Sequence, residues 1–135
     1  MKEKYVPPEP PKEIKRCPID NTFKIIGKKF TVHIIRDISM KGKTRFNEFL
    51  ESVEGINSNT LATRLKEMEG SGLIKRKIFH EIPIRIEYTL TNKGEDLIPI
   101  LEQMAAFSMK HAPEIFVDGK TRTFQKMCGR DPTSL

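Results

Sequence analysis

Residues 55–74 read Gly55-Ile56-Asn57-Ser58-Asn59-Thr60-Leu61-Ala62-Thr63-Arg64-Leu65-Lys66-Glu67-Met68-Glu69-Gly70-Ser71-Gly72-Leu73-Ile74. Asn57 is suited to cap a helix, because its side-chain oxygen accepts from a free amide of the first turn. Ile56 before the cap and Leu61 four residues into the helix have the spacing of a hydrophobic staple. Leu61, Leu65 and Met68 form one inward stripe at helical spacing. Gly70 and Gly72 end it. With that stripe turned inward, Asn59, Thr60, Thr63, Lys66 and Glu67 point outward and Arg64 stands at the flank.

Upstream, three further stripes are legible. Ile19, Phe23 and Ile26 make a helix that Gly27 ends. Phe30, Ile34 and Ile38, with Ile35, make a second. After the turn Lys41-Gly42-Lys43, Thr44 is placed to cap a third helix carrying Phe46, Phe49, Leu50 and Val53, which Glu54-Gly55 closes. Downstream the period changes. Residues 73–79 are rich in apolar β-formers and basic side chains, and Arg85-Ile86-Glu87-Tyr88-Thr89-Leu90 alternates strictly. The five residues His80–Ile84, with Pro83, connect them as a hairpin. A last helix is expected from Thr91 or Asn92 to about Lys110, bent by Pro99 inside it. It carries Leu97, Ile98, Ile100, Leu101, Met104, Ala105 and Phe107, enough for two buried faces.

The order is helix, helix, short helix, turn, helix, hairpin, long helix. This is α+β and mainly helical, a winged helix-turn-helix. Reading DNA explains the parts: one helix fits the major groove, the preceding helix braces it, and the hairpin reaches phosphate or the adjacent minor groove. Asn, Thr, Arg and Lys suit base edges and phosphates, so Asn57, Ser58, Asn59, Thr60, Thr63, Arg64 and Lys66 are the candidate contacts on the helix. Any surface helix is also polar outside, and that plainer reading stands beside it. Lys77 and Arg85 are the wing candidates, with Lys75, Arg76 and His80 nearby. Lysines on strand edges also deter edge pairing, and Arg85 is equally placed to bridge to Glu87. Arg45, at the start of the third helix, is a candidate phosphate contact, with Lys41 and Lys43 weaker ones.

The chain has 135 residues with a net charge of +6. That length suits one folded domain. Four prolines in the first eleven residues predict an extended arm over 1–16, a folded domain over 17–112, and an extension over 113–135. The basic excess is uneven. Residues 19–52 carry seven basic and four acidic side chains, and residues 73–91 carry four and two. Residues 53–72 carry only two and three. Charge therefore brackets the candidate reading helix, as expected where phosphate contacts position and a neutral helix reads bases. No apolar stretch nears the ~18 residues of a membrane span, and the first eleven lack the apolar run of a secretory signal. Cys17 and Cys128 do not make a disulfide framework, so a reducing, cytoplasmic setting is expected. No Ser/His/Asp set, carboxylate pair, phosphate-cradling loop or metal-ligand spacing is visible. No enzyme activity, cofactor or metal is expected.

Seven short segments resemble, in order and spacing, the HxlR-type winged-helix transcriptional regulators. They are Cys17-Pro18-Ile19, Gly27-Lys28-Lys29-Phe30, Arg45-Phe46-Asn47-Glu48-Phe49, Gly55-Ile56-Asn57, Leu61-Ala62-Thr63-Arg64-Leu65, Gly72-Leu73-Ile74 and residues 83–91. The resemblance covers about residues 17–110. It departs at Phe30, where the family usually has Trp, and at Asn57-Ser58, where it often has Ser-Pro. It implies a homodimer on double-stranded DNA, repressor or activator, joined through its terminal helices. Ile19, Phe23, Leu97, Leu101, Met104 and Phe107 are then the interface candidates. Two copies favour a roughly palindromic site with half-sites about one helical turn apart.

The resemblance also implies that Cys17 matches the cysteine through which several members sense oxidants or electrophiles. Lys15 and Arg16 beside it, and the helix that starts after it, are features that activate a thiol. A buried, inert thiol is the alternative. Cys128 is a weak candidate for a resolving partner. Two other readings stay open: a winged-helix protein-interaction module without DNA binding, and a DNA-binding regulator switched by a small-molecule effector between the dimer helices.

Overall fold

Most of the helical stripes meet in a cluster of buried side chains in the computed structural model, which describes residues 6–116; Ile19 and Phe23 of the first stripe stay outside it. The elements are α1 (Pro18–Ile26), α2 (Thr31–Met40), α3 (Phe46–Ser52), α4 (Ser58–Gly70), β1 (Ile74–Phe79), β2 (Arg85–Leu90), α5 (Asn92–Glu95), α6 (Ile98–His111) and a 3-10 turn, Pro113–Phe116. Residues 6–16 are exposed and form no helix or strand, which suits their prolines.

Helix α2 is central. Ile34 and Ile35 are fully buried, and Phe49, Val53, Leu61, Leu65, Met68, Leu73 and Ile74 close round them. Phe30 precedes α2 with φ 76°, in the left-handed region. That conformation costs a non-glycine residue roughly 1–2 kcal/mol. The Phe30 ring is buried, and burying a side chain of that size stabilises by about 1.5–3 kcal/mol, enough to hold the turn. The apolar anchor expected at this position is therefore present without an indole.

Asp37 of α2 is 0% exposed. Its Oδ1 accepts from Arg36 Nε at 3.0 Å and lies 3.9 Å from Lys41 Nζ. Its carbonyl accepts from the amides of Lys41 and Lys43, which shapes the turn round Gly42 (φ 65°). Helix α3 begins one residue later than expected, and Arg45, not Thr44, holds the cap position. Glu48 Oε1 accepts from the amides of both Thr44 and Arg45. The Thr44 carbonyl accepts instead from the Tyr88 amide at 2.7 Å, tying this segment to the open edge of β2. At α4 the expected cap is present: the Thr60 amide donates to Asn57 Oδ1 at 2.8 Å. Ile56 and Leu61 share the core.

The hairpin pairs antiparallel from Ile74 with Leu90 to Phe79 with Arg85. Its root is closed by Thr91. The Thr91 amide donates to the Leu73 carbonyl, its hydroxyl donates to the Gly72 carbonyl, and its Oγ1 accepts from the Gly94 amide. The single bent helix expected after the wing is two helices. The chain breaks at Asp96-Leu97, and Pro99 is the second residue of α6. There a proline is tolerated, because a first-turn amide has no intrahelical acceptor to lose.

Candidate nucleic-acid interface

Helix α4 follows α3 across the short turn Val53–Asn57, with Gly55 at φ 82°. Leu61, Leu65 and Met68 anchor it inward. Its opposite face exposes Ser58, Asn59, Thr63 and Lys66, while Thr60 and Arg64 are half-buried. Several of these groups already have partners. Asn57 Oδ1 is used as the cap. The Thr63 hydroxyl donates to the Asn59 carbonyl at 2.9 Å. Arg64 Nε donates to the Lys29 carbonyl at 2.8 Å, and its Nη1 lies 3.3 Å from Glu67 Oε2. Lys28 Nζ meets the same Glu67 oxygen at 3.2 Å. Ser58, Asn59 and Lys66 keep their side chains outward, and Lys66 has no acidic partner among the described residues.

On the wing, alternation puts Lys75, Lys77 and Phe79 on one face, opposite Thr89, Glu87 and Arg85. Arg85 is held at both ends, Nη2 to Glu81 Oε1 and Nη1 to Glu87 Oε1, each 3.2 Å. Its guanidinium also lies 4.0 Å from the centre of the Phe79 ring. The bridge to Glu87 is the structural alternative weighed from the sequence, and Glu81, four residues before Arg85, is the partner that reading missed. Lys77 Nζ sits 4.9 Å over the same ring, a contact that leaves the ammonium exposed. Arg76 reaches Glu69 at 3.7 Å. At the tip, Ile82 is fully exposed and Ile84 largely so.

Arg45 is exposed, without an acidic partner among the described residues. It lines an open groove of about 900 Å³ between α3 and the wing. Glu48, Glu51, Glu81, Glu87 and Arg85 line it too, with Glu81 and Glu87 already paired to Arg85. His33 stands with its ring edge to Phe30. Burial, then the neighbouring Arg36 charge, hold its pKa below the usual imidazole value, while Asp37 opposes them.

The terminal helices divide. Leu97 and Leu101, read as interface candidates, are each only 8% exposed and belong to this chain's own core. Helix α6 packs against α2, and Leu97 and Leu101 lie in the common core, so they are unavailable for a partner. The neighbouring stripe of α6, Ile100, Met104 and Phe107, is open. On α1, Ile19 and Phe23 are open as well. Cys17, at the cap position of α1, is exposed and has a free thiol. Cys128 lies outside the described residues.

This arrangement matches known proteins. Residues 25–116 fit the family described as HxlR-like helix-turn-helix. The chain belongs to the HxlR-like helix-turn-helix family. An uncharacterised HTH-type transcriptional regulator of Halalkalibacterium halodurans is 36% identical over 100 residues, 74% of this chain and 88% of that protein. The HTH-type transcriptional regulator YodB of Bacillus subtilis is 36% identical over 93 residues, 68% of this chain and 82% of YodB. The reduced form of YodB superposes with a TM-score of 0.61 at 30% identity, over 73% of this chain and 97% of that one. The redox regulator HypR, in its oxidized form, gives 0.63 at 32% identity, over 70% and 97%. Within this HxlR-like chain, Asn57-Ser58 starts the second helix of the helix-turn-helix without the family's usual proline, and the cap bond from Asn57 is intact. No helix among the described residues is long and apolar enough to cross a membrane.

Proposed function

We propose that this chain is a cytoplasmic, homodimeric, DNA-binding transcriptional regulator of the HxlR type, with 17–112 as its functional domain between the arm and the extension. The observation that carries the reading is the exposed face of α4. Ser58, Asn59, Thr63 and Lys66 lie outward there, and on the adjoining elements Arg45, at the start of α3, and Lys77, of β1, are exposed without acidic partners among the described residues. In this reading α4 enters the major groove, Asn59 and Thr63 read base edges, and Lys66, Lys77 and Arg45 grip phosphate. Asn57 and Thr60 shape the helix start. Dimerisation joins Ile19 and Phe23 of α1 with Met104 and Phe107 of α6, so that two α4 helices face successive major grooves.

Selection from random duplex DNA at about 0.15 M salt, near physiological ionic strength, tests this. An enriched, roughly two-fold symmetric motif is expected, with affinity falling steeply as salt rises. No enrichment, or binding indifferent to salt, would favour a protein-interaction module instead.

A second reading, that Cys17 switches the protein, rests on its exposed thiol, on Lys15 and Arg16 beside it, and on the likeness to HypR. DNA affinity of wild type and Cys17→Ser, with and without a quinone or peroxide, tests it. Equal responses would leave a small-molecule effector between the dimer helices as the better account.

A further inference from the structure

The side chain of Arg64 is turned away from the exposed face of its own helix and toward the chain that ends α1. Its Nε donates to the Lys29 carbonyl across 35 residues of sequence. Its Nη1 reaches Glu67, one turn along α4, and Glu67 in turn holds Lys28. Two residues of the α1–α2 turn and two of α4 thus form one joint. The next residue, Phe30, is the only described non-glycine residue with positive φ. A turn in a sparsely populated conformation keeps its shape only when its surroundings fix it, and the Arg64 bond holds the carbonyl immediately before it.

We propose that Arg64 is a positioning residue for DNA recognition. It fixes α4 to the α1–α2 turn through Lys29 and, by way of Glu67, Lys28, and does not itself touch the nucleic acid. The inference rests on the reading of α4 as the DNA-recognition helix. It makes the α1–α2 turn, which joins the open apolar face of α1 to the buried helix α2, part of what sets where α4 stands. A lysine cannot replace this arginine, because an ammonium lacks the planar fork that serves a carbonyl and a carboxylate together.

The test measures binding of the selected duplex over a range of salt for wild type, Arg64→Ala, Arg64→Lys and Lys66→Ala. Hydrogen exchange at the amides of Phe30 and Thr31 is followed in the free proteins. Both Arg64 variants are expected to bind about tenfold more weakly, the scale of a lost hydrogen bond to a charged group. Their slope of log affinity against log salt should be unchanged, and exchange at Phe30 and Thr31 should be faster. Lys66→Ala should lower the slope by about one per subunit, as a phosphate contact does. If Arg64→Lys binds like wild type, if Arg64→Ala loses slope as Lys66→Ala does, or if exchange does not change, Arg64 is no positioning residue. If wild type selects no duplex, the DNA reading fails, and the exchange measurement still decides whether the joint exists.

Discussion

Two arginines show how little a residue's type says about its use. Arg64 and Arg85 were both candidates for phosphate, and both have their guanidinium groups held by the protein: Arg64 by Lys29 and Glu67, Arg85 by Glu81 and Glu87. For Arg85 the bridge to Glu87 was legible beforehand, whereas Glu81 was not singled out. For Arg64 nothing local pointed to Lys29, because only the packing of α4 against the α1–α2 turn brings them together. Asp37 is a stronger case. It is an acid between the apolar residues Ile34, Ile35 and Ile38, yet it is fully buried, with Oδ2 lacking a hydrogen-bond partner among the described residues. Arg36 and Lys41 neutralise it from the solvent side. Removing one partner of a buried pair costs about 3–5 kcal/mol. Both cations here keep some access to water, so Asp37→Ala should cost about 3 kcal/mol. Urea unfolding should show it as a midpoint lowered by roughly 1.5 M at the usual slopes for small proteins.

At the scale of elements, periodicity located α2, α3, α4 and both strands because they pack on a common core; α1 has the expected period, but Ile19 and Phe23 face outward and only Ile25 and Ile26 lean on the core. Periodicity failed where an element's ends are set by neighbours. The start of α3 moved to Arg45 because the Thr44 carbonyl is taken by Tyr88. The helix after the wing is broken because α5 is seated on the hairpin root. A Cβ at Gly94 would overlap the Leu73 carbonyl oxygen. Backbone atoms there cannot yield as a flexible side chain would. Gly94→Ala should therefore destabilise by about 2–3 kcal/mol, the upper range for overpacking. Calorimetry should record a melting point lowered by roughly 10–20 °C, given about 4–8 °C per kcal/mol for a domain of this size. A change under 2 °C would mean that α5 is not seated so closely.

For the whole molecule, the stripes on α1 and α6 leave large apolar side chains open among the described residues, with Phe23 at 66% exposure and Phe107 at 68%. Contiguous exposed apolar side chains of this size mark association surfaces. Phe23→Asp with Phe107→Asp should convert the proposed dimer to a monomer in sedimentation, with little loss of helicity because neither ring belongs to the core. DNA affinity should fall at least a hundredfold, since each half-site would then bind alone instead of at the high effective concentration of a linked pair. A double variant that still sediments as a dimer would move the interface elsewhere.

The sequence by itself determined the order of helices and strands, the cap and staple of α4, the outward face of that helix and the bracketing of charge around it. These depend on spacing between near neighbours, which periodicity and capping chemistry record directly. Only the tertiary structure decided which cations remain free, which stripe of α6 faces inward, and what holds α4 in place. Those outcomes depend on partners far apart in the chain, such as Arg64 with Lys29 and Tyr88 with Thr44. No local pattern encodes such pairs; packing of the common core brings them within bonding distance.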